Sequence, residues 1–433
     1  MSRKKLYLIG LKSALLTAII ITIIVKSEKT EVTSAPNTDF PHLNELITNE
    51  DSEIDELKAL DKRIQRYMTK WWIKGASLAI TRNDSLVYAK GYGWADEDKE
   101  EKMEPGHIMR MASVSKLMTA VGIMVLQDRG MLTIKDTVFG PSGILCDSLF
   151  SSHIKDKKHY RITVEHLLRH QGGFYRDPVF SSRDVKHQMG LDHAPTKEDY
   201  YKLVLSHRLR HNPGTVNKYS NFGYMLLSEI IEKVSGKPYE QFMKEDVFAP
   251  AGCHDMHIAG TYEKDRRENE VRYYTHEGDG KYIEEYTDSG KMVERCYGGN
   301  NIPLLSGAGA WCGSPIEIAR LVASIDGQDE VPDIISKEAV RQMTGFIDKN
   351  TFSLGWNDTT PGLGWSRSGT LAGTCALVKR FPDGECWILI TNTSTWKGPR
   401  HAKYTDALFK ECRKSYSKKL PARNLFDKQL PDR

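Results

Sequence analysis

The sequence has no block of basic or acidic residues that would suggest a nucleic-acid partner. Its net charge is only +4 over 433 residues. Apart from the extreme N-terminus, Lys and Arg occur singly or in scattered pairs, as they do on solvated protein surfaces. No internal repeat is apparent. We therefore expect an ordinary globular chain with ample core and no nucleic-acid partner.

The sequence also has no pattern of cysteines or histidines typical of disulfides or metals. Seven cysteines is an odd number, and they are scattered. Cys375 and Cys386 flank a Pro-Asp-Gly turn, but a tight turn there pairs Phe381 with Cys386, so the two thiols should not face each other. His254 and His257 come nearest to a ligand pair, and we interpret them as a polar surface turn. We expect no disulfide framework, no metal and no cofactor.

Long apolar runs are absent except at the N-terminus. A basic segment ending at Lys12 precedes the run Ser13–Val25, and Lys26 closes it. This pattern is typical of an export signal and is short for a full membrane span. Extended back to Leu6, with Lys12 reaching towards the surface, it is long enough for an uncleaved anchor. Residues 1–26 are thus predicted to be a signal peptide or membrane anchor, and the protein to be periplasmic or anchored in the inner membrane facing the periplasm.

We interpret residues 45–416 as one domain, which lies between a polar linker (27–44) and a tail (417–433). The predicted elements are an amphipathic helix (45–72), a hairpin (76–81 and 85–92), helices at 163–170 and 224–234, an exposed insertion (260–297), a hairpin around Pro-Asp-Gly (374–381 and 386–391) and a closing helix (403–416). Strands therefore lie at both ends of the domain. We predict an α+β fold in which helices flank one antiparallel sheet, with a mostly helical subdomain at about 115–330.

A serine and a lysine three positions apart, Ser113 and Lys116, stand where a helix begins. Residues i and i+3 share a helix face, so the two side chains can touch. A hydroxyl beside an amine in a partly desolvated cleft is a ready acyl-accepting nucleophile. The same spacing occurs at Ser2 and at Ser415, however, so spacing alone does not single out Ser113.

Two further motifs supply what a nucleophilic serine needs. Tyr219 and Asn221 form the only Tyr-x-Asn in the chain, on a Pro/Gly-rich loop just before a predicted helix. Near the C-terminus, the run Arg367-Ser368-Gly369-Thr370 places a cation, a hydroxyl and a glycine directly before an apolar strand. A base, an oxyanion hole and a substrate-positioning edge can be assembled from these residues.

The order Ser-x-x-Lys, Tyr-x-Asn, then cation-Ser-Gly resembles the serine β-lactamase and penicillin-binding protein superfamily. It is most similar to the branch of class C β-lactamases, D-alanyl-D-alanine carboxypeptidases and esterases. Three further segments are similar to the family pattern: the Leu-Leu-x-His run at 167–173, Pro213-Gly214, and the Gly-rich turn 307–311. The resemblance extends from about Leu57 to Leu408.

The resemblance implies a role for each motif residue. Ser113 would attack a carbonyl, with Lys116 and Tyr219 handling its proton. Asn221 would bind Lys116 or a substrate amide. The backbone N–H groups of Ser113 and Thr370 would form the oxyanion hole, and Gly369 would allow the close approach that this requires.

The third motif departs from the family, which usually has Lys or His where this chain has Arg367. An arginine stays protonated but can grip a carboxylate with two hydrogen bonds. We therefore expect Arg367, with Ser368 and Gly369, to bind a substrate that carries a carboxylate. The substrate would be a small molecule or peptide with an amide, ester or β-lactam group. Transfer of the acyl group to an alcohol or amine, or a non-catalytic peptidoglycan or partner binder, remains the alternative.

Overall fold

Two hairpins from opposite ends of the domain meet in a six-stranded antiparallel sheet. The computed structural model describes residues 43–284 and 289–428. The strand order is β3 (Glu101–Lys102), β2 (Ser85–Asp96), β1 (Gly75–Arg82), β11 (Glu385–Thr391), β10 (Thr374–Arg380) and β9 (Trp365–Leu371). The first and last hairpins are thus joined through β1 and β11. A three-stranded sheet and a separate two-stranded hairpin lie outside it. The predicted α+β fold with a sheet built from both chain ends is confirmed.

The strands in the described part of the chain are β1 (Gly75–Arg82), β2 (Ser85–Asp96), β3 (Glu101–Lys102), β4 (Met109–Arg110), β5 (His257–Ile258), β6 (Lys281–Ile283), β7 (Met292–Glu294), β8 (Trp311–Gly313), β9 (Trp365–Leu371), β10 (Thr374–Arg380) and β11 (Glu385–Thr391). The α-helices are α1 (Leu43–Leu46), α2 (Lys58–Trp71), α3 (Ser115–Asp128), α4 (Ser148–Ser151), α5 (Val164–Leu168), α6 (Ser182–Met189), α7 (Lys197–Leu205), α8 (Asn221–Ser235), α9 (Tyr239–Phe242), α10 (Ile302–Leu305), α11 (Pro315–Ala323), α12 (Lys337–Thr344) and α13 (Ala402–Tyr416).

Turn chemistry explains both hairpins. Asn83 and Asp84, between β1 and β2, have φ values of 47° and 58°, and two left-handed residues in a two-residue loop match the twist of the strands. The Pro-Asp-Gly turn between β10 and β11 is also as predicted. Cys375 lies opposite Thr391 and Cys386 opposite Arg380, so the two thiols do not face each other.

Strand β11 is covered on both faces, as its apolar run indicates. Trp387 and Leu389 pack with α2 and α13, whereas Ile388 and Ile390 belong to the larger core on the opposite face. Helix α3 runs through that larger core and is buried from Ser115 to Leu126. The helix that carries Lys116 is therefore fixed on all sides.

Three predicted segments differ from the structure: the first helix, the insertion and the tail. The single helix at 45–72 is broken into α1, two 3₁₀ turns and α2. The cause is Asn49, whose side chain accepts the N–H of Gly91 (2.7 Å) and donates to the carbonyl of Met103 (2.8 Å). These bonds hold the chain against β2 and prevent a continuous helix.

The predicted insertion and tail are both partly built into the fold. Val271 and Tyr273, inside the segment expected to be exposed, are buried, whereas β6 and most of β7 are exposed. Leu425 is also buried, and Arg423 donates to the carbonyl of Val87. The chain after α13 therefore packs against β2 as far as residue 428.

The predicted export segment, residues 1–26, and most of the predicted linker lie outside the described residues. Within the described ranges, no helix is both long enough and apolar enough to cross a bilayer.

Candidate active site

The predicted nucleophile lies on a constrained turn between β4 and α3. Residues Ala112–Val114 form one 3₁₀ turn before the helix, and Ser113 is half-buried at the edge of a cleft. Ala112 has a φ of +50°, a left-handed conformation that costs a non-glycine residue about 1 kcal/mol or more. Such strain persists only where the surroundings hold the backbone in place, and here it aims the Ser113 side chain.

Lys116 lies one helical turn beyond Ser113, as the spacing predicts. Its Nζ is 3.3 Å from Ser113 Oγ, 2.8 Å from Asn221 Oδ1 and 2.5 Å from the carbonyl oxygen of Ala308. Burial, reinforced by the charge of Arg367, lowers the pKa of Lys116. The carbonyl groups of Asn221 and Ala308 can only accept, so each binds an N–H of Lys116, and together they fix its Nζ beside Ser113.

Tyr219 is the second group on the nucleophile. Its hydroxyl lies 2.8 Å from Ser113 Oγ. Residue 219 as a whole is 37% exposed, but the hydroxyl itself lies among Lys116, Arg367 and Ser113. Burial acts to raise the pKa of Tyr219, but the charges of Lys116 and Arg367 and the surrounding hydrogen bonds outweigh it and lower the pKa to about 8.

Arg367 reaches this centre from strand β9. Its Nε donates to the carbonyl of Ser113 (2.7 Å) and its Nη2 to the hydroxyl of Tyr219 (3.3 Å). The residue is only 1% exposed and is not part of the cleft wall. The guanidinium is therefore committed to the nucleophile turn and to Tyr219, and a direct grip on a substrate carboxylate stays a prediction.

Strand β9 places the rest of its motif beside Ser113. Gly369 packs so closely that a Cβ there would lie 2.2 Å from the carbonyl oxygen of Met111 and 2.9 Å from the nitrogen of Ser113. The need for glycine is thus confirmed as a steric one. Ser368 and Thr370, which alternate with it, line the cleft.

Two supporting residues were missed from the sequence. Asn357 accepts the N–H of Ser368 (2.7 Å) and lines the cleft. Asp177 accepts the backbone N–H groups of Asn221 and Phe222 at the start of α8. Neither residue belongs to a recognisable motif, so no signal in the sequence could have identified them.

His170 was expected to be structural, and its contacts fit that role. Its Nδ1 accepts the N–H of Ser220 (3.1 Å), and its ring lies 4.4 Å from that of Tyr219 between centroids. Burial, with the charges of Lys116 and Arg367, holds the pKa of His170 well below its usual value. A neutral His170 therefore supports Tyr219 without adding charge.

The active-site cleft has a volume of about 360 Å³ and opens into a second cavity of about 450 Å³. Phe180, Thr370 and Pro399 line both. The remainder of the second cavity is formed by three segments of the chain, with lining residues His276, Asp279, Tyr282, Arg295, Gly299, Asn300, Leu371, Ala372, Ser394, Thr395, Trp396 and Gly398. Room for a substrate group therefore continues along β9 beyond Thr370.

A family model described as Beta-lactamase matches residues 60–407, which include every residue of this site. The chain belongs to the beta-lactamase family. Members of this beta-lactamase fold include serine hydrolases such as amidases, esterases and carboxypeptidases. The resemblance drawn from the three motifs is therefore confirmed.

Individual relatives of this beta-lactamase-family chain are distant. A putative penicillin-binding protein, PbpX of Bacillus subtilis (strain 168), is 28% identical over 237 residues, which is 54% of this chain and 54% of that protein. The chain thus spans only about half of that relative. The D-amino acid amidase of Ochrobactrum anthropi SV3 is 20% identical with a TM-score of 0.64, covering 84% of this chain and 99% of that one. EstCE1, a hydrolase with promiscuous acyltransferase activity, is 20% identical with a TM-score of 0.63, covering 82% and 98%. Because each of these two solved structures is only 20% identical to this chain, the likeness shows a shared fold and no more.

Proposed function

We propose that the protein is a serine hydrolase that cleaves an amide, ester or β-lactam through an acyl-Ser113 intermediate. The observation that carries this proposal is the placement of Ser113 Oγ, which lies 2.8 Å from the hydroxyl of Tyr219 and 3.3 Å from Nζ of Lys116. A nucleophile in contact with two groups of lowered pKa is what acyl transfer through a serine requires.

Tyr219 and Lys116 divide the proton transfers. As Ser113 Oγ bonds to the carbonyl carbon, its proton passes to the phenolate form of Tyr219. Tyr219 is the nearer of the two groups and has a pKa of about 8. Lys116 supports the phenolate electrostatically. When the bond to the leaving group breaks, Tyr219 returns the proton to it. Water then attacks the acyl-serine by the same route in reverse, giving the free acid and restoring Ser113.

The backbone N–H groups of Ser113 and Thr370 are proposed to stabilise the negative oxygen of the tetrahedral intermediate. Both residues border the cleft, and Gly369 holds the two backbones together. Preorganised donors of this kind are each worth about 3–4 kcal/mol of transition-state stabilisation. A carboxylate on the substrate is not part of the proposal, because Arg367 is buried and already bonded.

Acyl transfer is the second candidate function. The second cavity can hold part of the acyl group during the lifetime of the acyl-enzyme. An alcohol or amine that reaches the cleft can then replace water as the acceptor, with the same catalytic residues. The fold shared with EstCE1, a hydrolase with acyltransferase activity, supports this candidate.

Covalent labelling separates an enzyme from a silent binder. A fluorescent penicillin and a fluorophosphonate should each label the native chain and fail to label Ser113→Ala. Ser415→Ala is the matched control, because Ser415 and Lys418 repeat the Ser-x-x-Lys spacing on the exposed end of the chain. Absence of label from both reagents in native protein would refute the proposed chemistry. Product analysis with and without an alcohol acceptor then distinguishes hydrolysis from transfer.

A further inference from the structure

Three side chains with metal-ligand chemistry meet at the small sheet β4-β8-β5, whose strand β4 leads into the nucleophile turn. One potential ligand atom from each of His257, Glu270 and Cys312 lies within 4.8 Å of the others. The residues are 2%, 4% and 0% exposed. Cys312 on β8 lies opposite His257 on β5, and directly opposed residues of neighbouring strands share a face of the sheet. The small sheet therefore directs these two side chains to one place, where Glu270 joins them.

This arrangement corrects the interpretation of His254 and His257 as a polar surface turn. His254 is exposed, but His257 is buried. The sequence could not indicate the cluster, because its members come from three separate segments of the chain. Only the pairing of β5 with β8 brings them together.

His257 has a ring nitrogen whose bonding is incomplete. Its Nδ1 lies 3.3 Å from the carbonyl oxygen of Asp255 and therefore carries the proton. Its Nε2 is buried and has no hydrogen-bond partner among the described residues. The carboxylate of Glu270 is 3.8 Å away, too far for a hydrogen bond. A neutral imidazole would turn a buried lone pair towards a carboxylate, which is unfavourable unless a cation lies between them.

We propose that His257 Nε2, a carboxylate oxygen of Glu270 and Cys312 Sγ bind a zinc ion. Imidazole, carboxylate and thiolate are ligands that zinc accepts, and bonds of about 2.0–2.3 Å place such ligand atoms roughly 3.3–3.8 Å apart. The 3.8 Å between His257 Nε2 and Glu270 Oε2 is within about 0.5 Å of the separation that a nitrogen and an oxygen ligand adopt around one zinc ion. The hydroxyl of Tyr273 lies 3.8 Å from the sulfur of Cys312.

The surroundings of the cluster orient its ligands. The hydroxyl of Tyr273 donates to Glu270 Oε1 (2.7 Å). The other oxygen, Oε2, accepts the backbone N–H of Arg267 (3.3 Å) and faces His257. The backbone carbonyl on Nδ1 of His257 selects the tautomer that ligates through Nε2. Hydrogen bonds of this kind to metal ligands fix the ligand geometry and raise the basicity of the ligands.

The charges can also be accommodated. Zinc binding displaces the thiol proton of Cys312 to solvent, and the resulting thiolate together with the carboxylate of Glu270 balances the two charges of the ion. The nearby guanidinium of Arg110 is directed elsewhere, since it donates to the carbonyls of Cys296 (2.7 Å) and Gly260 (2.9 Å).

Zinc at this position would fix the strands from which the nucleophile turn extends. Arg110 on β4 lies opposite Cys312 and is three residues before Ser113. Its carbonyl accepts the hydroxyl of Thr374 (2.7 Å), and the next N–H, from Met111, donates to the carbonyl of Trp311 (3.0 Å). The ion is thus a structural one that positions Ser113, and it does not touch the substrate.

Metal analysis of the full chain tests the proposal independently of any activity. The background is Cys146→Ser, which removes the one cysteine that is exposed. We expect this protein, purified without chelator, to contain one equivalent of zinc by inductively coupled plasma mass spectrometry. Cobalt exchanged for the zinc should give the near-ultraviolet band of a cobalt–thiolate bond.

In this background, Cys312→Ser and His257→Gln should lose both the zinc and the cobalt band. Cys412→Ser is the matched control, since it removes a buried thiol remote from the cluster, and it should keep both. The proposal is overturned if the background protein holds no zinc and gives no cobalt–thiolate band, which would leave His257 and Glu270 as a plain ion pair. It is also overturned if Cys312→Ser keeps the zinc. The measurements on the background protein decide the question even where a variant does not fold.

Discussion

The guanidinium of Arg367 joins the hydroxyl of Tyr219 to the backbone of Ser113: Nη2 lies 3.3 Å from the first and Nε 2.7 Å from the carbonyl of the second. A lysine has a single nitrogen and cannot make both bonds from separate atoms. Arginine also keeps its charge at every pH at which a protein is folded. The fixed charge of Arg367 therefore helps to keep the pKa of Tyr219 near 8.

Replacing Arg367 should change the pH dependence of the reaction. The pKa of Tyr219 is about 8, so kcat/KM should rise with pH and level off above about 8 as the phenolate forms. Arg367→Gln removes one of the two positive charges, so the pKa of Tyr219 should move back towards 10 and the rising limb should shift to higher pH. Arg400→Gln, which removes an exposed charge elsewhere, is the control and should leave the profile unchanged. If the rise of kcat/KM with pH occurred at the same pH in Arg367→Gln, ionisation of Tyr219 would not be its cause.

Gly369→Ala should abolish most of the activity. The added Cβ would lie 2.2 Å from the carbonyl oxygen of Met111, so β9 must move away from the nucleophile turn and the two proposed oxyanion donors must separate. Overpacking of this kind costs about 1–3 kcal/mol of stability, and loss of one donor lowers kcat by roughly 10²–10³-fold. Kinetics and urea unfolding measure the two effects. Gly223→Ala, where a Cβ meets only ordinary contacts at 3.6–3.7 Å, should alter neither strongly.

Asp177→Ala should weaken the site through Asn221. The buried carboxylate accepts two backbone N–H groups at the start of α8, and without it these donors lose their partner at a cost of about 1–3 kcal/mol. Asn221 would then hold Lys116 less firmly. Asp177→Asn keeps one accepting oxygen and should recover part of the stability and of kcat. A variant with normal stability but reduced kcat would show that positioning of Asn221 is the larger effect.

The second cavity should discriminate between acyl groups. Trp396 lines it beyond Thr370, and removal of its ring should lower kcat/KM for bulky acyl donors by roughly 10-fold or more, as loss of a pocket contact does. Acetyl esters, which end before the cavity, should be turned over as before. The control is Trp72→Ala, because Trp72 is exposed and contacts Trp396 but does not line the cavity. Equal losses for short and long donors in Trp396→Ala would argue against an acyl subsite.

The features that could be predicted are those set by residues close together in the sequence. The hairpin at Asn83-Asp84, the helix at Asn221 and the contact of Lys116 with Ser113 follow from turn preferences and helical spacing. The broken first helix could not be predicted, because Asn49 bonds to residues more than 40 positions away. The burial of Arg367 was missed for the same reason: residue type shows which bonds arginine can make, whereas the partners depend on tertiary contacts.

The pairing of β1 with β11 has a consequence for the order of events during synthesis. Ala76 is paired with Thr391 across more than 300 residues, and Arg367 and Gly369 lie on β9, more than 250 residues after Ser113. Ser113 leaves the ribosome long before the strands that complete its surroundings, and loop closure over such separations makes folding slow. A chain whose synthesis stops before β9 and β11 therefore holds Ser113 without Arg367 and without the glycine that β9 brings to its backbone.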